Sequence, residues 1–287
     1  MTSVADRFRR LFVVFTTAAG VCSGMLQVGH AQIMPDELAP TFYKQVRPAL
    51  APPIEEQLLY AGLAYKSLQG SGLVSGSEYI VLVDRSASVQ AIFIFWLEQG
   101  QPTIFIGASP VSTGRVGQFD HFETPTGVFE HSVDNPDFRA EGTKNALGIR
   151  GYGVKGMRVF DFGWQQATRG WGGGGLGTMR LQMHATDPDL LEAKLGTQQS
   201  KGCIRISASL NHWLDTFGII EADYADAVNK GMHLPVAMPT PKVYGSGRFL
   251  IVIDSGRSTR PEWATPQFSP RNILNSSSNL LYFDNFR

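Results

Sequence analysis

Tyr79-Ile80-Val81-Leu82-Val83 and Val89-Gln90-Ala91-Ile92-Phe93-Ile94-Phe95-Trp96-Leu97 flank the turn-forming residues Asp84-Arg85-Ser86-Ala87-Ser88. Two runs of branched and aromatic residues around such a break read as a β-hairpin. A second break at Gln99-Gly100-Gln101 leads into Thr103 to Ile106, which makes three antiparallel strands in succession. Further short strands are expected at Gly127 to His131, Met157 to Phe162, Thr178 to His184, His233 to Met238 and Phe249 to Ile253, with glycine-rich loops between them. This spacing is that of a mainly β sandwich or barrel. Helical pattern inside the domain is confined to Ser207 to Phe217, with Ser207 as N-cap, and Glu221 to Lys230, stopped by Gly231.

Composition agrees with that class and excludes others. The 287 residues include 31 glycines, favouring a turn-rich architecture over a helical bundle. Hydrophobic residues make up 43% and charged residues 17%, far from the signature of disorder. Lys plus Arg and Asp plus Glu number 25 each, and no run of like charge is long enough to track a phosphate backbone. Nucleic acid is therefore not an expected partner.

Outside the strand-rich part the chain reads as three flanking pieces. Residues 1–31 have a basic start at Arg7, Arg9 and Arg10, an uncharged stretch from Leu11 to Val21 and a small-residue site at Gly29-His30-Ala31. The expectation is a cleaved export signal, with a retained membrane anchor as the alternative, so that the membrane is met only through this segment if it stays uncleaved. Its removal takes away Asp6, Arg7, Arg9 and Arg10, leaving a net charge of −2. Residues 32–77 carry Pro35, Pro40, Pro48, Pro52 and Pro53, read as a linker, then an amphipathic helix from Ile54 to Leu68 and a flexible joint from Gly70 to Ser77. The main domain spans 78–239, and 240–287 is an extension with one strand and a polar tail.

Two cysteines are present, and Cys22 lies inside the expected signal, so the exported chain would retain the single thiol of Cys203. An unpaired thiol in an exported protein is a candidate reactive group, or else a small buried hydrophobe. In Thr178-Met179-Arg180-Leu181-Gln182-Met183-His184 the alternation puts Leu181 and Met183 on one face and Arg180, Gln182 and His184 on the other. Fifteen residues later comes Ser200-Lys201-Gly202-Cys203-Ile204-Arg205-Ile206. A histidine that accepts the thiol proton, followed by ion-pair formation, would make Cys203 a nucleophile at neutral pH.

The order His, fifteen residues, Ser-x-Gly-Cys-Ile-Arg-Ile resembles the signature of the L,D-transpeptidase catalytic-domain (YkuD-like) family. Pro110-Val111-Ser112-Thr113-Gly114 and Thr124-Pro125-Thr126-Gly127-Val128-Phe129 extend the resemblance over about 160 residues. It implies an exported enzyme of the periplasm or cell envelope that remodels peptidoglycan without a cofactor or metal. Cys203 would attack the carbonyl between the third and fourth residues of a stem tetrapeptide, expelling D-alanine and forming a thioester that an amine captures. His184 would be the base, backbone N–H groups around Gly202 and Cys203 the oxyanion donors, and Ser200 a support for the turn. Arg205 would bind a substrate carboxylate or tie the turn together. Hydrolysis of the thioester, attachment of a lipoprotein, and a non-catalytic wall-binding protein are the alternatives.

This sequence departs from the family at Lys201, where a second histidine is usual. A lysine there either favours the thiolate by its charge or points to solvent. Trp171, in Gly170-Trp171-Gly172-Gly173-Gly174-Gly175, reads as the tip of a mobile lid or as part of a floppy loop. His121 and His131 are read as surface or packing residues. No histidine cluster or paired-cysteine spacing suggests a metal.

Overall fold

A computed structural model of the chain describes residues 32–73, 76–234 and 242–268. The expected export signal and the polar tail beyond 268 lie outside the described residues, as do positions 235–238 of the strand expected at His233 to Met238; His233 itself is not in a strand.

The protein is mainly β, with nine strands in two sheets and a few helices among the described residues. The hairpin read from sequence is present as β1 (Glu78–Asp84) and β2 (Ala91–Leu97), and β3 (Ile104–Pro110) follows it antiparallel. Every residue of β1 and β2 is buried. Val81, Val83, Ile92 and Ile94 face one apolar cluster, while Ile80, Leu82, Phe93 and Phe95 face a second on the other side. A sheet covered on both faces explains why these strands read as continuous apolar runs.

The remaining strands are β4 (Gly127–Glu130), β5 (Phe138–Arg139), β6 (Arg158–Thr168), β7 (Leu176–Ala185), β8 (Ile204–Ile206) and β9 (Phe249–Ile253). One sheet runs β3-β2-β1-β9-β4 and the other β5-β6-β7-β8. Phe160, Phe162, Leu181, Met183, Ile204 and Ile206 of the second sheet share the first cluster with β1 and β2. The helices are α1 (Pro35–Gln45), α2 (Ile54–Gly70), α3 (Ala208–Phe217) and α4 (Ala222–Asn229). The Ser207 side chain accepts the Leu210 N–H at 3.1 Å, capping α3, and Gly218 ends it in the left-handed region.

Two sequence expectations are corrected. The proline-rich stretch is not a linker, because Pro35 to Gln45 forms α1 with Pro40 inside it. Pro35 sits at the start of the helix, where no amide donor is needed, and the loss at Pro40 is offset by burial of Leu38, Ala39 and Phe42. Phe42 lies against Gly107 of β3 and edge-on to Trp213 of α3, with ring centroids 5.1 Å apart. Nor is β9 an appendage: it pairs parallel to β1 and antiparallel to β4, in the interior of the five-stranded sheet. Residues 32–73 and 242–268 therefore pack as one body with the domain placed at 78–239. Among the described residues no helix is long and apolar enough to cross a membrane.

Candidate active site

β7 and β8 bring the sequence motif together. They pair in parallel, with Met183 opposite Ile204 and His184 opposite Arg205. Ile204 and Ile206 enter the core, so Arg205 between them alternates to the opposite face, the one that carries His184, while Cys203, in the bend just before β8, packs partly against the core.

His184 is off the core side of its sheet, yet it is buried. Its cover is Tyr152, whose ring stands edge-on to the imidazole at 4.7 Å between centroids. Nδ1 of His184 donates to the Ala185 carbonyl at 2.8 Å, which fixes the tautomer and leaves Nε2 with its lone pair. Burial, aided by the nearby Arg205 charge, pulls this imidazole down to about 4, against the opposing hydrogen bond to Ala185.

Cys203 is partly buried, and its thiol donates to the Arg180 carbonyl at 3.7 Å. Burial pushes the thiol up, although the Gln182 N–H and the Arg205 charge pull the other way. Both shifts run against the thiolate–imidazolium ion pair expected from sequence. Burial leaves neither charged form well solvated, so each shift favours the neutral form of its own group.

The turn before the thiol is held on several sides. Ser200 Oγ donates to the Cys203 carbonyl at 2.5 Å and accepts the Gly202 N–H at 3.0 Å. Thr124 Oγ1 donates to the Gly202 carbonyl at 2.7 Å. Gly202 has φ of +132°, a conformation that favours glycine, and the Met179 sulfur would stand 2.6 Å from a Cβ there. One expectation changes as a result. The Gly202 N–H is engaged by Ser200, leaving the Cys203 N–H, which makes no hydrogen bond among the described residues, as the backbone donor for an oxyanion.

Arg205 exchanges backbone hydrogen bonds with Ser112, each 2.9 Å, and its guanidinium donates to the Gln199 carbonyl at 3.2 Å, a tie across the turn. Its Nε is buried without a hydrogen-bond partner. Lys201 points away from the thiol and pairs at 2.9 Å with Asp120, both side chains more than half exposed. Trp171 is not a free tip: its ring packs edge-on against Phe122 at 4.8 Å and Phe119 at 5.8 Å. The loop carrying these rings is bonded to the motif by the Phe122 N–H, which donates to the Lys201 carbonyl at 3.0 Å.

Of the two roles read from sequence for His131, packing is the one it takes. It is fully buried, with Nδ1 2.7 Å from the Ile220 carbonyl and Nε2 2.9 Å from Asp137, and it serves a charged cluster with Arg158 and Glu221. His121 is half-buried, and its Nδ1 lies 2.9 Å from the Phe119 carbonyl.

The sequence reading set Arg180 and Gln182 on the face of His184 without giving them a role, and it did not single out Tyr152 or Asp161. Gln182 and Arg180 share the alternating face of His184, and that periodicity is the signal by which they were findable. Among the described residues no group of three or more His, Cys, Asp or Glu side chains is arranged to hold a metal ion. No family model matches the chain, and no curated protein matches it.

Proposed function

We propose that the protein is a cysteine acyltransferase of the envelope, a peptidoglycan L,D-transpeptidase on a YkuD-like catalytic domain, using Cys203 as nucleophile and no cofactor. The observation that carries the reading is the orientation of His184. Its Nδ1–H is committed to the Ala185 carbonyl, which leaves Nε2 as the basic nitrogen, and the β7–β8 pairing sets His184 opposite Arg205, two residues after the only described thiol. The sequence signature supplies the substrate class.

Starting from a neutral pair, the thiol proton passes to His184 Nε2 as sulfur attacks the donor carbonyl between the third and fourth stem residues. The Cys203 N–H donates to the developing oxyanion. Collapse breaks the peptide bond; the His184 proton goes to the departing amine, and D-alanine leaves. The thioester is then attacked by an acceptor amine, whose proton returns through His184 as the thiol is regenerated. Arg205 stabilises the turn in the free protein. The high thiol and low imidazole values support proton transfer concerted with attack over a preformed ion pair.

The test is incubation of the purified chain with tetrapeptide-containing muropeptides, followed by mass spectrometry. Cross-linked dimers are expected. Tripeptides alone would mean a carboxypeptidase, and unchanged muropeptides would overturn the enzymatic reading in favour of a wall-binding protein. Cys203→Ala abolishes product, and His184→Ala slows acylation by roughly 10²-fold or more.

A further inference from the structure

A buried carboxylate that touches neither Cys203 nor His184 is joined to both. Asp161 lies on β6 where the register with β7 shifts between Asp161 and Trp164. Gly163, inside the shift, has φ of +76°, and its N–H donates to Asp161 Oδ1 at 2.8 Å. Phe160 and Phe162 on either side enter the core, so alternation along β6 puts Asp161 opposite Gln182 on the face that carries the motif, and the bulge follows directly after it.

There, Asp161 Oδ2 accepts two donors, Arg180 Nε and Gln182 Nε2, each at 2.7 Å. These residues supply the backbone groups that meet the thiol: the Arg180 carbonyl accepts from Sγ, and the Gln182 N–H faces the sulfur. Because an ionised carboxylate only accepts, the Gln182 amide must present its NH2 to Asp161 and its oxygen outward. That oxygen accepts the Tyr152 hydroxyl at 3.1 Å, and the Tyr152 ring covers His184. The Asp161 N–H is itself held by Asp137 at 2.9 Å.

We infer that Asp161 is the positioning residue of the site, holding the thiol through Arg180 and Gln182 and the imidazole through Gln182 and Tyr152. The inference rests on the acyltransferase reading above. Its contribution is geometric, since a negative charge near the sulfur opposes the thiolate. Removing the charge while disturbing the geometry should therefore move two observables in opposite directions.

The experiment compares the full chain as wild type, Asp161→Asn and Gln182→Met, measuring the pH profile of Cys203 alkylation by iodoacetamide and the rate of acylation by a carbapenem, read as intact mass. In Asp161→Asn the alkylation profile moves to lower pH, while acylation slows by about tenfold to 10²-fold, the scale of a displacement near 1 Å. Gln182→Met keeps the carboxylate and the bulge, so its alkylation profile stays in place while acylation slows by about tenfold. Acylation within twofold of wild type in either variant overturns the inference. Should Asp161→Asn fail to fold, Gln182→Met decides alone. Should wild type form no adduct, the acyltransferase reading falls separately.

Discussion

The Thr124 hydroxyl donates to the Gly202 carbonyl and accepts the Gly114 N–H at 2.9 Å, so one buried side chain joins the Thr-Pro-Thr-Gly segment to the turn that presents Cys203. Thr124→Val preserves the shape and strands both partners. The expected cost is about 1–3 kcal/mol in thermal or urea unfolding, with slower acylation, and Thr124→Ser should recover most of it. A Val variant as stable as wild type would show that solvent satisfies these groups.

Lys201→Met should leave the alkylation profile of Cys203 where it is. The lysine charge faces Asp120 at the surface, where pairs contribute little and are screened by salt. Turnover is expected within about twofold of wild type. A profile displaced towards higher pH would show that Lys201 acts on the thiol.

The buried histidines give stability opposite pH dependences. Both His131 nitrogens face acceptors; burial opposes its charge, but Asp137 outweighs burial and raises this group above the ordinary range. Stability from His131 is complete below the unfolded value near 6.5 and is lost as pH rises through the folded one. His184, drawn down to about 4 by burial, acts in the reverse sense, and stability falls as pH drops from about 6.5 towards 4 because the unfolded chain takes up the proton first. NMR titration of the ring protons checks both, and a His131 midpoint at or below the ordinary histidine value removes the alkaline effect.

Phe42→Ala should destabilise the protein by about 3–5 kcal/mol, as for a large core aromatic. Phe42 is fully buried between β3 and α3. A loss below about 1 kcal/mol would return the proline-rich stretch to the status of a linker.

Local pattern carried much of this fold and part of the site. Apolar runs broken by turn residues marked β1 and β2, alternation put His184 off the core face, and Ser207 capped its helix as read. Prolines misled in α1 because tertiary burial of Leu38 and Phe42 outweighs a missing amide, which no local rule registers. Tyr152 lies in a loop with no periodicity, and its place over His184 depends on the packing of distant segments. Asp161 sits on that face by ordinary alternation between Phe160 and Phe162, but its partners Arg180 and Gln182 depend on how β6 registers against β7, which the sequence of β6 alone does not give.

The placement of β9 bears on how the chain reaches this structure. Ile80 to Asp84 pair with Phe249 to Ile253, so the middle of the five-stranded sheet waits for segments about 170 residues apart to meet. Until then β1 and β4 each expose an unpaired backbone edge, and β1 is apolar on both faces. Such topology orders slowly, because loop closure precedes any reward from pairing, and open edges recruit other chains meanwhile. A nascent chain halted before Phe249 would accordingly be prone to aggregate even though every residue of the Cys203 motif had already been synthesised.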